Sequence, residues 1–498
     1  MKKKMKGLPE EYTERLSEEE QGLLRDFFDD FDLHCRLGKR EKAALREDFE
    51  RALLYYDGVG LPFGEALERL DPVHLGGFYA RPPMLWFPLD DAAKIYPLSM
   101  KHGRMSVFRL AVYLKEDVVP ELLQMALNFT IKRFPSFATT LKKGFFWHYL
   151  DTAKRRFCAE PEQDIPCQPL KVSRSGSQSF RVLYWRNRIS VEFFHVLTDG
   201  TGGLTFLKVL TAEYLKLTGV EATPDENLWD VEEAPSQEEF ANFFTQVPRG
   251  SGSGGFMDRS ALQMSGRLSR QKPCRLLHFR MNLQQLKEAA ARHQTSLTVY
   301  LLGQMFLAQK AGTDELQGDV NIQLPVNMRK FYPSRTVRNF SMYCGIRLPI
   351  ETITDLSSVI AGIEQQLQPK TSREAMSEMA ASAEGLVRML RFVPLALKEP
   401  VARIIYGFLG DKVFSNTLSN LGAVQLPASC ADRIEYMDFV LSTAITNRAG
   451  CAVITFGDTV SFSISKTTAD PTFEEELYRL LCADSLEVRV EGSRLYEG

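Results

Sequence analysis

The stretch Phe194-His195-Val196-Leu197-Thr198-Asp199-Gly200 places a histidine, an aspartate and a glycine at the spacing H-x-x-x-D-G. An alternating pattern precedes it, in which Ile189, Val191 and Phe193 share one face of a predicted strand. Leucines at helical spacing follow it, between Leu204 and Leu217. The motif is therefore predicted to lie where a strand ends and a helix begins, a place from which an imidazole can project into a cleft.

Histidine suits general-base catalysis, because its ordinary pKa near 6.5 lies close to neutral pH. Acyl transfer without a covalent intermediate needs such a base to take the proton of an attacking hydroxyl, amine or thiol. Asp199 could contact the imidazole, as in a catalytic triad, or it could hold the turn through an arginine. Its position across a turn from His195 favours the second role. Gly200 and Gly203 are expected to allow tight backbone conformations at this junction.

Composition excludes several other classes of function. The chain has 498 residues, and its 61 basic and 63 acidic residues leave a net charge of −2, so no nucleic-acid surface is indicated. None of its 8 cysteines forms a C-x-x-C pair, so neither a metal site nor a disulfide framework is predicted. The basic N-terminus lacks an apolar segment of the signal-peptide type, and no stretch is apolar enough for a transmembrane helix. A cytoplasmic location is expected by elimination.

The chain divides into four predicted parts. Residues 1–85 form a charge-dense helical extension, residues 86–247 a first subdomain, residues 248–272 a glycine- and serine-rich linker, and residues 273–498 a second subdomain. The extension is expected to pack on the same chain rather than on a partner. Each half opens with a strand followed by a helix, which suggests a weak internal repeat. In the first half these are a strand at 107–114 and a helix from about 120 to 133.

Further motifs accompany the histidine. An aromatic segment ends in Ala93-Lys94-Ile95-Tyr96-Pro97, and Pro325-Val326-Asn327-Met328-Arg329 is followed by Asn339-Phe340. Ser419-Asn420-Leu421-Gly422 comes later. With the H-x-x-x-D-G motif, these make residues 86–490 resemble the chloramphenicol-acetyltransferase-like superfamily. The nearest resemblance is to bacterial alcohol-acetyltransferase-like proteins that are related to condensation domains.

This resemblance implies an α/β (α+β) fold with two subdomains, each built on a mixed sheet, and a tunnel at their interface. It implies that His195 is the general base, that Asp199 and Gly200 are structural, and that Arg329 is the partner of Asp199. It also implies an acyltransferase with no bound cofactor. The co-substrate would be acyl-CoA or an acyl-carrier thioester, and the acceptor a small alcohol or amine. An acyl carrier protein is a further partner that the resemblance allows.

The sequence also departs from this pattern. Condensation domains and wax-ester synthases usually carry two adjacent histidines, whereas Phe194 occupies the first position here. This favours single-histidine acyl transfer over peptide condensation. Ser419 and Asn420 are candidates for stabilising the oxyanion, although a simple turn before Gly422 is the favoured explanation for the pair. A catalytically silent protein that binds an acylated carrier through the helical extension remains an alternative function.

A basic cluster follows the second motif and has two interpretations. Its members are Arg329, Lys330, Arg335 and Arg338. They could bind the phosphates of a donor, or they could form a solvated loop. Arg329 is excepted from the second interpretation, because it is expected to pair with Asp199.

Overall fold

The computed structural model describes residues 7–91, 93–94, 96–97, 105–153, 155–170, 177–248, 259–398, 413–443, 448–494 and 496. Most of the predicted linker's glycine- and serine-rich run, residues 249–258, lies outside the described residues, as does Ile95 of the aromatic segment.

The α-helices within the described residues are α1 (Glu10–Arg15), α2 (Glu18–His34), α3 (Lys39–Gly58), α4 (Phe63–Arg69), α5 (Pro120–Thr130), α6 (Gly200–Leu217), α7 (Leu283–Arg292), α8 (Leu297–Ala311), α9 (Leu356–Lys370), α10 (Arg373–Met389), α11 (Ala428–Ala431) and α12 (Thr472–Ala483). The helix predicted at 120–133 ends at Thr130, and Ile131–Arg133 continues it as a 3-10 turn. Ser296 caps the start of helix α8, since its side chain accepts a hydrogen bond from the Val299 amide.

The helices of the N-terminal extension pack on the same chain. Ser17 and Glu20 form a reciprocal capping box that starts α2. The apolar face of α2 carries Phe27 and Phe31 into a buried cluster, where Phe31 packs edge-on against Phe49 of α3. Phe49 in turn contacts Phe129 of α5. The extension therefore shares its core with the first half of the chain.

The strands of the described residues are β1 (Trp86–Pro88), β2 (Val107–Leu114), β3 (Thr139–Lys143), β4 (His148–Thr152), β5 (Ala159–Pro161), β6 (Ser177–Gln178), β7 (Phe180–Trp185), β8 (Arg188–Phe194), β9 (Arg275–Asn282), β10 (Asp319–Asn327), β11 (Ser341–Pro349), β12 (Asn416–Val424), β13 (Ile434–Leu441), β14 (Ala449–Phe456), β15 (Thr459–Lys466) and β16 (Arg489–Gly492). They form three sheets, with the orders β1-β4-β3-β6, β13-β2-β8-β7-β5 and β11-β10-β12-β14-β15-β9-β16. Parallel and antiparallel pairs occur in the two larger sheets, which are therefore mixed, as the fold prediction required.

One strand crosses between the two halves. Strand β13 belongs to the segment predicted as the second subdomain, residues 273–498, yet it pairs antiparallel with β2 of the first. Sheet membership depends on contacts distant in sequence, so no local pattern in this segment shows which sheet β13 joins. The larger seven-stranded sheet and helices α7 to α9 surround a second buried cluster, which includes Phe306 and Phe462.

A buried ion pair ties the extension to the body. Asp48 of α3 accepts hydrogen bonds from the Asn128 amide nitrogen at 3.1 Å and from Arg156 Nη2 at 2.7 Å. The side chains of Arg156 and Asp48 are 20% and 4% exposed. Burial raises the pKa of Asp48, while Arg156 and Asn128 act in the opposite direction. The carboxylate therefore depends on these partners for its stability in the core.

We expect Asp48→Asn to lower the free energy of unfolding by about 3 kcal/mol, because it leaves a largely buried guanidinium without its counter-charge. Urea unfolding followed by circular dichroism measures the change. Asp30→Asn on the exposed face of α2 is the matched control and should change the unfolding midpoint little. Equal midpoints for the two variants would contradict this account of the pair.

Candidate active site

The H-x-x-x-D-G motif lies at the predicted junction between a strand and a helix. Strand β8 ends at Phe194, and the His195 amide donates to the carbonyl of Ser106 at 2.9 Å. Helix α6 begins at Gly200 with Asp199 as its N-cap, because Asp199 Oδ1 accepts a hydrogen bond from the Gly202 amide at 3.0 Å. His195 thus stands in the short connection between a buried strand and a buried helix.

The glycines of this junction are needed for close packing rather than for unusual backbone angles. None of Gly200, Gly202 and Gly203 has a positive φ, so the expectation of special backbone conformations at Gly200 and Gly203 is wrong. A β-carbon on Gly202 would lie 2.1 Å from the carbonyl oxygen of Val337, and one on Gly200 would lie 2.7 Å from Leu421 Cδ2. Strands and loops of the second half therefore pack directly on the first turn of α6.

Asp199 is held by three donors. Besides the Gly202 amide, its Oδ2 accepts from Arg329 Nη1 and from the Phe340 amide, each at 2.8 Å. Its side chain is 5% exposed and that of Arg329 is 11% exposed. The structure thus brings two sequence-predicted residues into contact. These three donors occupy both carboxylate oxygens of Asp199, and none of them is the His195 ring.

Arg329 is itself fixed in place from several sides. It lies in the 3-10 turn Met328–Lys330 that follows β10. Its Nε and Nη2 donate to the carbonyl of Thr336 at 3.1 and 2.8 Å, and Nη2 also donates to the carbonyl of Arg338 at 2.8 Å. A planar guanidinium makes such multiple contacts without losing its charge. Arg329 therefore connects Asp199 to the loop at residues 336–340.

Asn339, in that loop, contacts His195 twice. Its Nδ2 donates to the carbonyl of His195 at 2.6 Å, and its Oδ1 lies 3.3 Å from His195 Nδ1. A carbonyl oxygen only accepts hydrogen bonds, so the amide nitrogen must face it and the amide oxygen must face the ring. Nδ1 of His195 therefore carries the proton and donates to Asn339 Oδ1, which leaves Nε2 of the neutral imidazole with its lone pair.

Two aromatic rings enclose His195. Tyr96 stacks on the imidazole with ring centroids 4.9 Å apart and planes 17° apart, and Phe108 of β2 lies 4.8 Å away. Burial lowers the pKa of His195 below its ordinary value, although the Asn339 hydrogen bond and the nearby Asp199 act in the opposite direction. The neutral, basic form of the ring is therefore favoured at neutral pH.

Sequence reasoning gave no role to Asn339, Gly202 or Tyr96. Asn339 and Tyr96 stood inside motifs that supported the resemblance, but neither carried a periodic or spacing signal for contact with His195. Asn339 lies 144 residues from His195 along the chain, so only the tertiary fold brings them together.

Of the basic cluster, Arg338 does not lie in a solvated loop. It is 2% exposed, and its Nη2 lies 3.0 Å from Asp90 Oδ1. Burial raises the pKa of Asp90 to about 6, against the effect of the neighbouring guanidinium. Arg335 is paired with Glu233 and Glu239 instead. These two guanidinium groups are engaged by carboxylates rather than left facing a phosphate.

The two oxyanion candidates lie on β12, next to Leu421. The Asn420 side chain donates to Thr298 Oγ1 at 3.0 Å and accepts from the Gly422 amide at 2.8 Å, and Gly422 has a φ of +74°. Asn420 therefore takes part in the turn before Gly422, which was the alternative to an oxyanion role for this residue. Ser419 is buried. No hydrogen bond joins either residue to His195.

Two surface cavities lie away from the histidine. One of about 640 Å³ is lined by His293, Lys310 and Asp484, and one of about 510 Å³ by Trp86 and Lys142. The tunnel at the subdomain interface stays a prediction. In the described part of the chain, no group of three or more His, Cys, Asp or Glu side chains is arranged to hold a metal ion. No helix there has the length and apolar character to span a membrane.

Comparisons with known proteins show the fold. No protein-family profile matches the chain, and no curated protein matches its sequence. Among solved structures, it is similar to the trichothecene 15-O-acetyltransferase TRI3 of Fusarium sporotrichioides, at 11% identity and a TM-score of 0.52, over 80% of this chain and 94% of that one.

Two further solved structures are similar to the same extent. TRI101 of F. graminearum, complexed with coenzyme A and T-2 mycotoxin, is 11% identical with a TM-score of 0.54, over 81% of this chain and 99% of that one. The first condensation domain of the calcium-dependent antibiotic synthetase is 13% identical with a TM-score of 0.53, over 80% of this chain and 96% of that one. The chain therefore has the fold of the chloramphenicol-acetyltransferase-like superfamily, as its motifs predicted.

Proposed function

We propose that this protein is an acyltransferase that moves an acyl group from a thioester to a hydroxyl or amine, with His195 as general base. The observation that carries the proposal is the fixed, neutral imidazole. Asn339 holds Nδ1, burial lowers the pKa of the ring, and Nε2 keeps its lone pair. These are the properties that a general base needs at neutral pH.

The reaction follows from this arrangement. Nε2 of His195 takes the proton of the acceptor as its oxygen or nitrogen attacks the thioester carbonyl. The tetrahedral intermediate then collapses, the carbon–sulfur bond breaks, and the imidazolium returns the proton to the departing thiolate. Ser419 is our candidate donor to the oxyanion. Asp199 acts as a structural brace with Arg329 rather than as an orienting partner of the base, because its oxygens are occupied elsewhere.

Acyl-CoA is the donor that we favour. The fold is shared with TRI101, whose structure holds coenzyme A, and with a starter condensation domain of rhizomide synthetase in complex with C8-CoA. Phe194, which is 2% exposed, stands in the core where the resemblance places a second histidine. Its burial supports single-histidine acyl transfer over condensation between carrier-bound substrates, which is the second candidate.

A silent carrier-binding protein is a weaker alternative. That function would use the helical extension as its docking surface, yet the apolar face of α2 already packs into the core of the same chain. A protein without catalysis would also have no need for an imidazole held in one tautomer.

We expect His195→Ala to reduce the rate of acyl transfer about 100- to 10,000-fold, the usual contribution of a general base. Purified protein is incubated with a panel of acyl-CoA donors and with mixed alcohols and amines, and products are identified by mass spectrometry. His293→Ala is the matched control, because His293 pairs with Asp484 away from the site. Equal product from wild type and His195→Ala, or none from the wild type, would refute the proposal.

We expect Asp199→Asn to lower the free energy of unfolding by about 3–5 kcal/mol, because it leaves the buried Arg329 guanidinium without its counter-charge. Urea unfolding measures this change. Asp458→Asn, in the exposed turn between β14 and β15, is the control. An unchanged midpoint in Asp199→Asn would rule out the bracing role.

We expect kcat/KM to stay level near neutral pH and to fall only below about pH 6.5, because burial keeps the His195 pKa beneath its ordinary value and the base acts in its neutral form.

Asn339→Asp places a negative charge beside Nδ1, so the acidic limb of this pH profile should move to higher pH. Asn339→Leu should lower kcat at every pH, because the tautomer is no longer held. Initial rates between pH 5 and pH 9 test both variants; identical profiles would exclude a positioning role for Asn339.

A further inference from the structure

Large exposed apolar side chains gather on two segments far apart in sequence. Phe145 and Phe146 stand at the tip of the hairpin between β3 and β4 and are 73% and 39% exposed. Helix α10 ends at Met389, which is 77% exposed. Phe392 and Leu397 follow the helix and are 77% and 61% exposed. Exposed apolar patches of this kind on a folded protein usually mark a site of interaction.

The two segments form one surface, which we call the apolar face. The Leu395 amide donates to the carbonyl of Phe145 at 2.8 Å, and Lys398 Nζ donates to the carbonyl of Phe146 at 2.7 Å. The rings of Phe146 and Phe392 meet edge-on with centroids 6.5 Å apart. These contacts hold the projecting side chains on the same part of the molecule.

The charge of the two segments has a single sign. Residues 142–147 and 387–398 contain five Lys or Arg and no Asp or Glu. Lys142 pairs with Asp151, and Lys398 is buried with its amine 3.4 Å from the Trp147 ring centroid. Arg388 and Arg391 are exposed. The apolar face is thus bordered by cations.

We propose that the apolar face docks on an anionic lipid bilayer. Aromatic and aliphatic side chains enter the interfacial region of a membrane, and neighbouring Lys and Arg are attracted to anionic headgroups. Side chains that project from the surface need no complementary pocket in a fluid bilayer, whereas a protein partner must supply one. The combination of projecting apolar groups with the exposed cations Arg388 and Arg391 therefore fits anionic lipid better than a protein surface.

The apolar face adjoins the segment that reaches His195. Lys94 Nζ lies 5.7 Å from the ring centroid of Trp147, the residue after Phe146, and Tyr96 stacks on the imidazole. The segment that carries Tyr96 therefore runs beside the residue that follows Phe146. Membrane docking itself does not depend on the proposed acyl transfer, and its test measures binding alone.

Co-sedimentation of the full chain with vesicles tests the proposal. Vesicles of phosphatidylcholine alone are compared with vesicles that also contain phosphatidylglycerol. We expect binding only to the anionic vesicles, and release at high salt. The double variant Phe145→Ser, Phe392→Ser should reduce binding roughly tenfold or more, because it removes two rings that would insert into the bilayer. Arg388→Gln with Arg391→Gln should reduce it on the order of tenfold or more, through lost headgroup attraction.

Leu316→Ser is the matched control, because Leu316 is 87% exposed on another loop. It should bind anionic vesicles like the wild type. All these residues are exposed, so thermal unfolding should show similar midpoints for every variant. Absence of binding to anionic vesicles, or equal binding by the double phenylalanine variant, would overturn the proposal. Light scattering without vesicles gives a second test. If the wild type has twice the mass of one chain and the double variant does not, a second copy covers this face and the proposal is overturned.

Discussion

The buried carboxylate of Asp199 is the group on which the candidate site depends. An ionised carboxylate in a protein core requires partners for its charge and for its lone pairs. Asp199 obtains them from the first turn of α6, from Arg329 and from the Phe340 amide. A single side chain therefore relates the end of β8, the start of α6 and the loop after β10 to one another. Residues from both halves of the chain meet at this point.

The same arrangement separates the contacts of His195 from those of Asp199. A carboxylate with three donors has little capacity left for an imidazole, so orientation of the ring falls to a neutral amide. Asn339 sets the tautomer without adding a negative charge beside the ring, and burial lowers the pKa of the imidazole. A carboxylate in that position would raise the pKa of the imidazole. The ring is thus held in place and its neutral form is favoured, as the proposed general base requires.

Close packing reinforces this electrostatic frame. Gly202 lets the backbone of Val337 approach the first turn of α6, and the hydroxyl of Thr198 donates to the same Val337 carbonyl. Arg338, next in the chain, is paired with the buried Asp90 beyond β1. The loop at residues 336–340 therefore has contacts to the motif on one side and to the residues after β1 on the other. Its position is determined from several directions, and so is that of Asn339.

Local patterns in the sequence determined much of the fold. Alternation and helical spacing predicted β2, β8 and helices α5 and α6, because these signals depend on neighbours within a few residues. The motif's position between β8 and α6 also followed from local pattern, and order among several motifs indicated the superfamily. Only the tertiary structure decided that β13 joins the sheet of the first half and that Asn339 faces His195. It also showed that close packing, rather than an unusual backbone angle, requires a glycine at position 202. Each of these depends on a contact between residues that are distant along the chain, and the periodicity of a single segment carries no information about its distant partner.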